Sequence, residues 1–136
     1  MANTHGKDSY FSLDNTADSP TDVSAYIDTS ALNQAIELAD TTAYADEDRT
    51  FIAGLANANI PIGGPWDATF DGYMGTTAQL KVARDWIFGP AGSTAGFVKY
   101  SGSCQIENYT IDAPVGERVS WSGTLRVSGA VTRGTF

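Results

Sequence analysis

The sequence predicts a mainly β fold, a β-sandwich or barrel with one α-helix packed on its flank. Three observations support this prediction. Apolar and polar residues alternate over residues 117–128, which is the period of a half-buried strand. The 14 glycines, with many serines and threonines, separate short apolar runs, as in strands joined by tight turns. Only one segment, residues 76–88, has convincing helical spacing.

The length of 136 residues is that of one domain, so we expect residues 1–136 to fold around a single core. Residues 1–9 are polar and contain the only histidine, His5, together with Lys7. Chain ends of this kind fray unless other structure holds them. We therefore expect residues 1–9 to form a flexible N-terminal arm.

The first half of the chain contains several predicted strands. Residues 10–14 form the first strand, and turn-forming residues separate it from residues 23–27, which fit either a strand or one helical turn. Residues 31–41 form the next strand. Its alternate residues Leu32, Gln34, Ile36 and Leu38 share one face, which we expect to be mostly buried. Residues 50–55 and 57–66 supply the strands that follow.

Residues 40–50, DTTAYADEDRT, form a long exposed loop that has no periodicity and carries four acidic residues. One interpretation is an ordinary flexible surface loop, since long loops are often mobile. The other is a loop that becomes ordered against another molecule. The residues alone leave both interpretations open.

The predicted helix spans residues 76–88. Leu80, Ala83 and Ile87 recur at helical spacing, with polar residues between them. Gly89 and Pro90 end the helix, because glycine accepts the left-handed conformation and proline cannot continue the hydrogen-bond ladder.

The remainder of the chain predicts three strands, at residues 96–101, 103–111 and 117–128. In the last strand, apolar residues including Trp121 and Leu125 share one face, and Arg126 lies on the opposite polar face. Cys104 lies in an alternating run, where a small buried thiol packs well. We expect Cys104 to be a core residue.

Net charge and apolar content limit the possible partners. The formal charge of −8 argues against a nucleic-acid-binding surface, because phosphates would be repelled. No stretch approaches the roughly 20 apolar residues of a spanning helix, and the first residues lack the apolar core of a signal peptide. We expect synthesis in the cytoplasm and no membrane association.

The sequence offers little chemistry. His5 lies in a polar terminus far from Cys104, which disfavours a nucleophile–base pair and a histidine–cysteine metal site. Asp46, Glu47 and Asp48 could contact calcium, but Phe51 and Asn57 stand where the EF-hand pattern requires glycine and glutamate. No cofactor motif is present, and we predict no enzymatic activity. A hydrolase using two converging carboxylates remains a formal alternative.

Several segments, in their order, resemble the major tail tube proteins of long-tailed, non-contractile bacteriophages. The likeness runs from about residue 11 to residue 135. It begins with FSLDN, followed by DVSAYI, a long polar loop ending in RTF, and an Asn-rich strand. It ends with a long terminal strand and SGAVTR. The order of these segments carries the resemblance more than any one motif.

The resemblance implies a structural virion protein of the phage tail. Such proteins form hexameric rings that stack into a hollow tube, through which DNA passes into the host without specific binding. The implied partners are other copies of the chain, the tape measure protein, the tail terminator and the distal tail protein. The implied location is the virion tail, after synthesis in the bacterial cytoplasm.

The resemblance also assigns roles to particular residues. Residues 40–50 become a loop that stacks against the next ring, through Thr42, Tyr44, Asp46, Glu47, Asp48, Arg49 and Phe51. Glu37 and Glu107, on the polar faces of their strands, become candidates for the lumen wall. The N-terminal arm, with His5 and Lys7, becomes a segment that orders on assembly.

A monomeric β-sandwich binding module is the main alternative. Such a module could stack a sugar on exposed Trp66, Trp86 or Trp121. We expect instead that Trp121 and Trp86 belong to the core, whereas Trp66, beside a Gly-Pro turn, fits either role.

Overall fold

The computed structural model describes residues 6–14, 20–75 and 80–136. Its strands are β1 (Tyr10–Asp14), β2 (Pro20–Asp22), β3 (Thr29–Ser30), β4 (Asn33–Asp40), β5 (Phe51–Pro65), β6 (Arg84–Gly89), β7 (Val98–Asp112) and β8 (Ser120–Thr135). Helix α1 spans Ala68–Met74, and short 3₁₀ turns occupy Gly6–Asp8 and Ser24–Tyr26. The prediction of a mainly β fold with a flanking helix is confirmed, and residues 23–27 contain a helical turn.

All of the strands belong to one antiparallel sheet, in the order β2-β1-β6-β7-β8-β5-β3, with β4 continuing beyond β3 along the same edge of β5. The middle of the sheet is formed by β7, β8 and β5, which are 15, 16 and 15 residues long. Residues 96–101 and 103–111 were expected to form two strands. Residues 98–101 and 103–111 instead lie in one strand, because β7 continues through Gly102 while three residues of β8, 129–131, lie opposite it as a bulge.

One face of the sheet forms the core. The final strand has the predicted orientation, with Trp121 and Leu125 buried. Cys104 and Ile106 of β7 and Ile60 of β5 pack beside them. Burial raises the pKa of Cys104 to about 12, so its thiol is protonated at neutral pH.

Helix α1 covers this core face. Asp67 caps its first turn by accepting a hydrogen bond from the Thr69 amide at 2.7 Å. Phe70 and Met74, one turn apart, are buried, and the Phe70 ring lies 4.6 Å from that of Trp121. The helix therefore closes the core over β8.

Polar contacts hold α1 in position. The Asp71 carboxylate accepts hydrogen bonds from Trp66 Nε1 at 3.3 Å and from the Tyr109 hydroxyl at 3.0 Å. Burial and the neighbouring Asp71 raise the pKa of Tyr109. Because Trp66 follows β5 and Tyr109 lies in β7, Asp71 ties the helix to both sides of the sheet.

The predicted helix at residues 76–88 is wrong over its second half. Residues 84–89 form β6, and residues 76–79 lie outside the described residues. Arg84 and Trp86 are buried while Asp85 between them is exposed, which is the alternation of a strand. Leu80 is helical, but a turn follows at Lys81 and Ile87 lies in β6, so the spacing of Leu80, Ala83 and Ile87 does not reflect one helix. The helix lies earlier, where Gly72 and its length of seven residues weaken the sequence signal.

Arg84 is a buried cation that links three elements. Its guanidinium donates hydrogen bonds to the Asp14 carbonyl of β1 at 3.4 Å and to the Tyr73 carbonyl of α1. Burial lowers the pKa of Arg84, although a guanidinium remains protonated in proteins. Arg84 therefore joins β6 to β1 and to the end of the helix.

The turn at Ser24–Tyr26 packs directly on the backbone of β5. The Tyr26 carbonyl accepts a hydrogen bond from Trp121 Nε1 at 3.0 Å. A methyl group at Gly64 would overlap this same carbonyl. Only glycine leaves room for the turn at this position.

Candidate assembly surfaces

Strands β4 and β5 form a long hairpin that extends past the body of the sheet. β4 pairs with residues 51–59 of β5, whereas β8 pairs only with residues 59–65. Residues 51–58 therefore have β4 on one side and no strand on the other within the described sheet. The hairpin comprises residues 33–58 and has residues 41–50 as its loop.

Hydrogen bonds within the hairpin loop give it a defined shape. The Thr41 amide donates to the Thr50 carbonyl at 2.9 Å, and Arg49 forms a salt bridge with Asp40 at 3.1 Å. Asp46 accepts from the Ala43 amide at 2.8 Å. Hydrogen bonds from Thr42 lower the pKa of Asp40. The loop is exposed, as predicted, and its ends continue the hairpin pairing.

Large apolar side chains of the hairpin are exposed to solvent. They include Leu55, which is 79% exposed, and also Ile36, Leu38, Phe51, Ile52 and Tyr44. The expectation of a mostly buried face is wrong for Gln34, Ile36 and Leu38, because every residue of β4 is exposed. Leu32, just before β4, is half-buried against the core. Strand β4 is exposed because residues 6–14, 20–75 and 80–136 supply no second layer beneath the hairpin. Exposed apolar surface of this extent indicates an interaction site.

The hairpin also carries half of the net charge. Residues 33–58 contain five acids, Glu37, Asp40, Asp46, Glu47 and Asp48, against one basic residue, Arg49, which gives −4 of the total of −8. Half of the net charge therefore lies on a segment of 26 residues. An interface formed by this hairpin must accommodate apolar and acidic side chains together.

A groove opens where the hairpin separates from β8. Its volume is about 570 Å³, and it is lined by small and apolar residues that include Ile36, Ala56, Ala58, Ala130 and Val131. Gly129, with φ of +90°, forms the bend in β8 beside it. On both sides of the groove, strands present edges that pair with no other strand among the described residues. Such edges can pair with strands of another molecule.

The exposed face of β5, β8 and β7 lies opposite the face covered by α1. Glu107 lies on this face, as predicted, where Arg126 Nη2 contacts its carboxylate at 3.3 Å. Glu37 is exposed on β4, and the register shift between Ile36 and Leu38 places its extra residue in β5, so that β4 keeps its own alternation. Because Asn33 pairs with Asn59, and Asn59 with Arg126, this alternation places Glu37 on the same face as Glu107.

The N-terminal site residues are only partly described. Lys7 lies in the 3₁₀ turn at Gly6–Asp8 and is exposed, and His5 lies outside the described residues. The residues that sequence reasoning missed are the exposed apolar ones, notably Ile52 and Leu55. A signal was present, because the sequence is apolar on both strand faces around residue 52 and a soluble hairpin needs only one such face.

Alternative sites find little support among the described residues. The described residues contain no group of acidic, histidine or cysteine side chains that could hold a metal ion. None of their helices is long and apolar enough to cross a membrane. Trp86 and Trp121 are buried, as expected, and Trp66 is 37% exposed with its indole bound to Asp71.

The sequence matches the family model for phage tail tube proteins over residues 3–133, and the chain belongs to that family. It is therefore a structural protein of the phage tail tube and not an enzyme, which confirms the family predicted from the sequence. A search of the curated proteins finds no match.

Solved structures share the fold. The tail of an empty gene transfer agent particle, determined with C6 symmetry, is 16% identical with a TM-score of 0.80, covering 98% of this chain and 100% of that one. The SPP1 tail tube is 12% identical with a TM-score of 0.74, covering 98% and 80%. A chain from the PVC sheath–tube complex of an extracellular contractile injection system is 11% identical with a TM-score of 0.68, covering 100% and 94%.

Proposed function

We propose that the chain assembles into hexameric rings that stack into a hollow tail tube, through which phage DNA passes to the host. The observation that carries this proposal is the hairpin of residues 33–58, whose apolar side chains and strand edges are exposed in the single chain. Burial of such surface favours association, since each apolar Å² removed from water contributes about 25 cal/mol. Self-assembly would bury the exposed apolar side chains of the hairpin and pair its free strand edges without any other ligand.

The two parts of the hairpin have different proposed roles. Its loop contacts the next ring through Thr42, Tyr44, Asp46, Glu47, Asp48, Arg49 and Phe51. Its strands, with the free edge of β8, pair with neighbouring subunits of the same ring, so that the inner sheets join into one barrel. The N-terminal arm, residues 1–9 with His5 and Lys7, orders when these contacts form.

The exposed face of β5, β8 and β7 is proposed to line the lumen, with Glu107 on the wall and Glu37 at the hairpin end of it. The position of α1 on the opposite face supports this orientation. DNA passes without specific binding. The further partners are the tape measure protein, the tail terminator and the distal tail protein, and the location is the virion tail after synthesis in the bacterial cytoplasm.

We assign the tube to a non-contractile tail. The TM-scores for the gene transfer agent tail and the SPP1 tail tube, 0.80 and 0.74, exceed that for the chain from the sheath–tube complex of the contractile injection system, 0.68. A purified tail that contains no sheath protein around the tube would support the assignment.

Deletion of residues 43–48 tests the role of the hairpin loop. These residues are exposed and form no part of the core, so the shortened protein should keep the circular dichroism and melting temperature of the parent chain. Electron microscopy and sedimentation velocity at rising concentration should show filaments or rings for the parent and none for the deletion. Tubes of normal length from the deleted form would refute the stacking role.

Thiol labelling tests which face lines the lumen. Cys104 is buried and protonated, so a single new cysteine dominates the reaction. In Ser122→Cys the thiol lies on the exposed face of β8, and in the control Gly72→Cys it lies on the exposed side of α1. Assembly should protect Ser122→Cys from a bulky maleimide while leaving Gly72→Cys reactive. Equal reactivity of the two in assembled tubes would refute the orientation.

A further inference from the structure

The central part of the proposed lumen face carries few charges, and Lys99 of β7 lies on the same face outside this part. In residues 59–65 of β5, 105–112 of β7 and 120–126 of β8, the strand register places these side chains opposite the core: Asn59, Pro61, Gly63, Pro65, Gln105, Glu107, Asn108, Thr110, Asp112, Ser120, Ser122, Thr124 and Arg126. Amide and hydroxyl groups dominate the set. Glu107 and Asp112 are its acids, and Arg126 is its one cation.

Arg126 lies in the middle of this face. Its backbone pairs with Asn59 on one side and Gln105 on the other, and its side chain is about half exposed. A guanidinium in this place is a natural ligand for a phosphate oxygen, because its planar fork matches phosphate geometry. Repeated in every subunit, such a contact would hold a nucleic acid backbone on the wall.

The Arg126 guanidinium already forms a salt bridge with Glu107. Arg126 Nη2 lies 3.3 Å from one oxygen of the Glu107 carboxylate and 3.4 Å from the other. A bulge in β7 creates the contact: Ile106 and Tyr109 both face the core, so the two residues between them, Glu107 and Asn108, both lie on the exposed face. The extra residue brings a carboxylate beside the one cation of this central part.

We infer that Glu107 masks Arg126, so that the central part of the wall, residues 59–65, 105–112 and 120–126, offers no free cation to the phosphates of a passing nucleic acid. This inference rests on the proposed function, because it needs the exposed face to meet nucleic acid. We attribute the low adhesion of the wall to this ion pair and to neutral side chains. Overall negative charge contributes less there, since half of the net charge lies on the hairpin. Arg126 in turn limits repulsion between the Glu107 carboxylates of neighbouring subunits.

Neutralising Glu107 tests the inference in the soluble protein, where the face is open. Glu107→Gln leaves Arg126 unmasked. Asp112→Asn is the matched control, because it removes the same charge from the same face at a residue that forms no salt bridge with a described residue. Fluorescence anisotropy with a short labelled DNA duplex measures binding at several low salt concentrations.

We expect Glu107→Gln to bind the duplex about two- to fivefold more tightly than Asp112→Asn, the range typical of an exposed ion pair. The plot of log affinity against log salt should steepen by about 0.9 for one added phosphate contact. The double variant Glu107→Gln/Arg126→Gln should return to the level of Asp112→Asn. A merely structural role for Glu107 would not change the salt dependence.

Two results would overturn the masking role. One is equal DNA binding, or no binding at low salt, for Glu107→Gln and Asp112→Asn. The other is tight binding that persists in the double variant, since the cation responsible would then lie elsewhere. Electron microscopy of the same proteins tests the proposed function separately. If the parent chain formed no tubes, assembly would be refuted, whereas the DNA-binding comparison of the soluble variants would still test the masking role.

Discussion

Replacing Phe70 and Phe51 separately by alanine removes the same side chain from two opposite environments. Phe70 of α1 is 1% exposed, with its ring 4.6 Å from that of Trp121 and 5.5 Å from that of Tyr26. Phe51, at the start of β5, is 53% exposed. The first change should therefore affect folding, and the second should affect assembly.

The magnitudes follow from burial. Truncation of a fully buried phenylalanine lowers the free energy of unfolding by about 3–5 kcal/mol, because it loses transfer energy and leaves a cavity. Phe51 keeps about half of its surface in water, so Phe51→Ala should lower the same free energy by about 1 kcal/mol. With a urea m-value of about 2 kcal/mol/M, the midpoints should fall by about 2 M for Phe70→Ala and about 0.5 M for Phe51→Ala.

Urea unfolding followed by tryptophan fluorescence measures both values, since Trp121 lies against Phe70. Sedimentation velocity and electron microscopy measure assembly. Phe51→Ala should remain folded and form tubes poorly. If Phe51→Ala unfolded as readily as Phe70→Ala, the hairpin would be part of the folding core; if it formed tubes like the parent chain, Phe51 would not belong to the stacking surface.

Further outcomes follow from single residues. The Cys104 thiol, with its pKa raised to about 12, should react with a disulfide reagent at pH 8 only when the protein unfolds, so the rate should rise with urea; fast reaction of the folded protein would contradict its burial. Gly64→Ala should destabilise the protein by several kcal/mol or prevent folding, because the added methyl group overlaps a carbonyl of the 3₁₀ turn. At Gly72 an added methyl group would have no other atom within 4 Å, so Gly72→Ala should stabilise α1 by about 0.5–1 kcal/mol in thermal unfolding. The hydrogen bond from Arg118 holds the pKa of Asp28 below its ordinary value of 3.8, so the pairing stabilises the fold above about pH 4 and is lost as the pH falls through the lowered pKa. Asp28→Asn should therefore reduce the acid dependence of the melting temperature, and an unchanged acid profile would show that the pairing contributes nothing.

The sequence predicted best where the two sides of a strand differ in environment. In β8 the core packs against Trp121 and Leu125 while Arg126 faces solvent, so the alternation could be read directly. The helix was misplaced for the converse reason. In β6 the buried position alternating with Trp86 is Arg84, a charged residue whose partners come from distant β1 and α1. A pattern of hydrophobicity cannot anticipate a buried cation.

For the candidate assembly surface, the sequence identified the loop and missed the strands. The acidic loop has turn chemistry and charge, which are local properties, and it was located at residues 40–50. Ile36 and Leu38 of β4 have the pattern of core residues, and only the three-dimensional arrangement shows that they are uncovered in the single chain. The pairing of β8 with β5 ends at Asn59. This end decides whether apolar residues face the core of their own chain or are left for another copy.

The hairpin extends past only one end of the β5–β8 pairing, and this asymmetry gives the subunit a direction. Copies joined by inserting that extension into the preceding layer make head-to-tail contacts, which do not close on themselves as a two-fold contact does. A polymer of this kind grows without an intrinsic limit and has two unlike tips, one showing free hairpins and the other showing the surface that receives them. Two chemically different terminators would then be needed, and neither could substitute for the other.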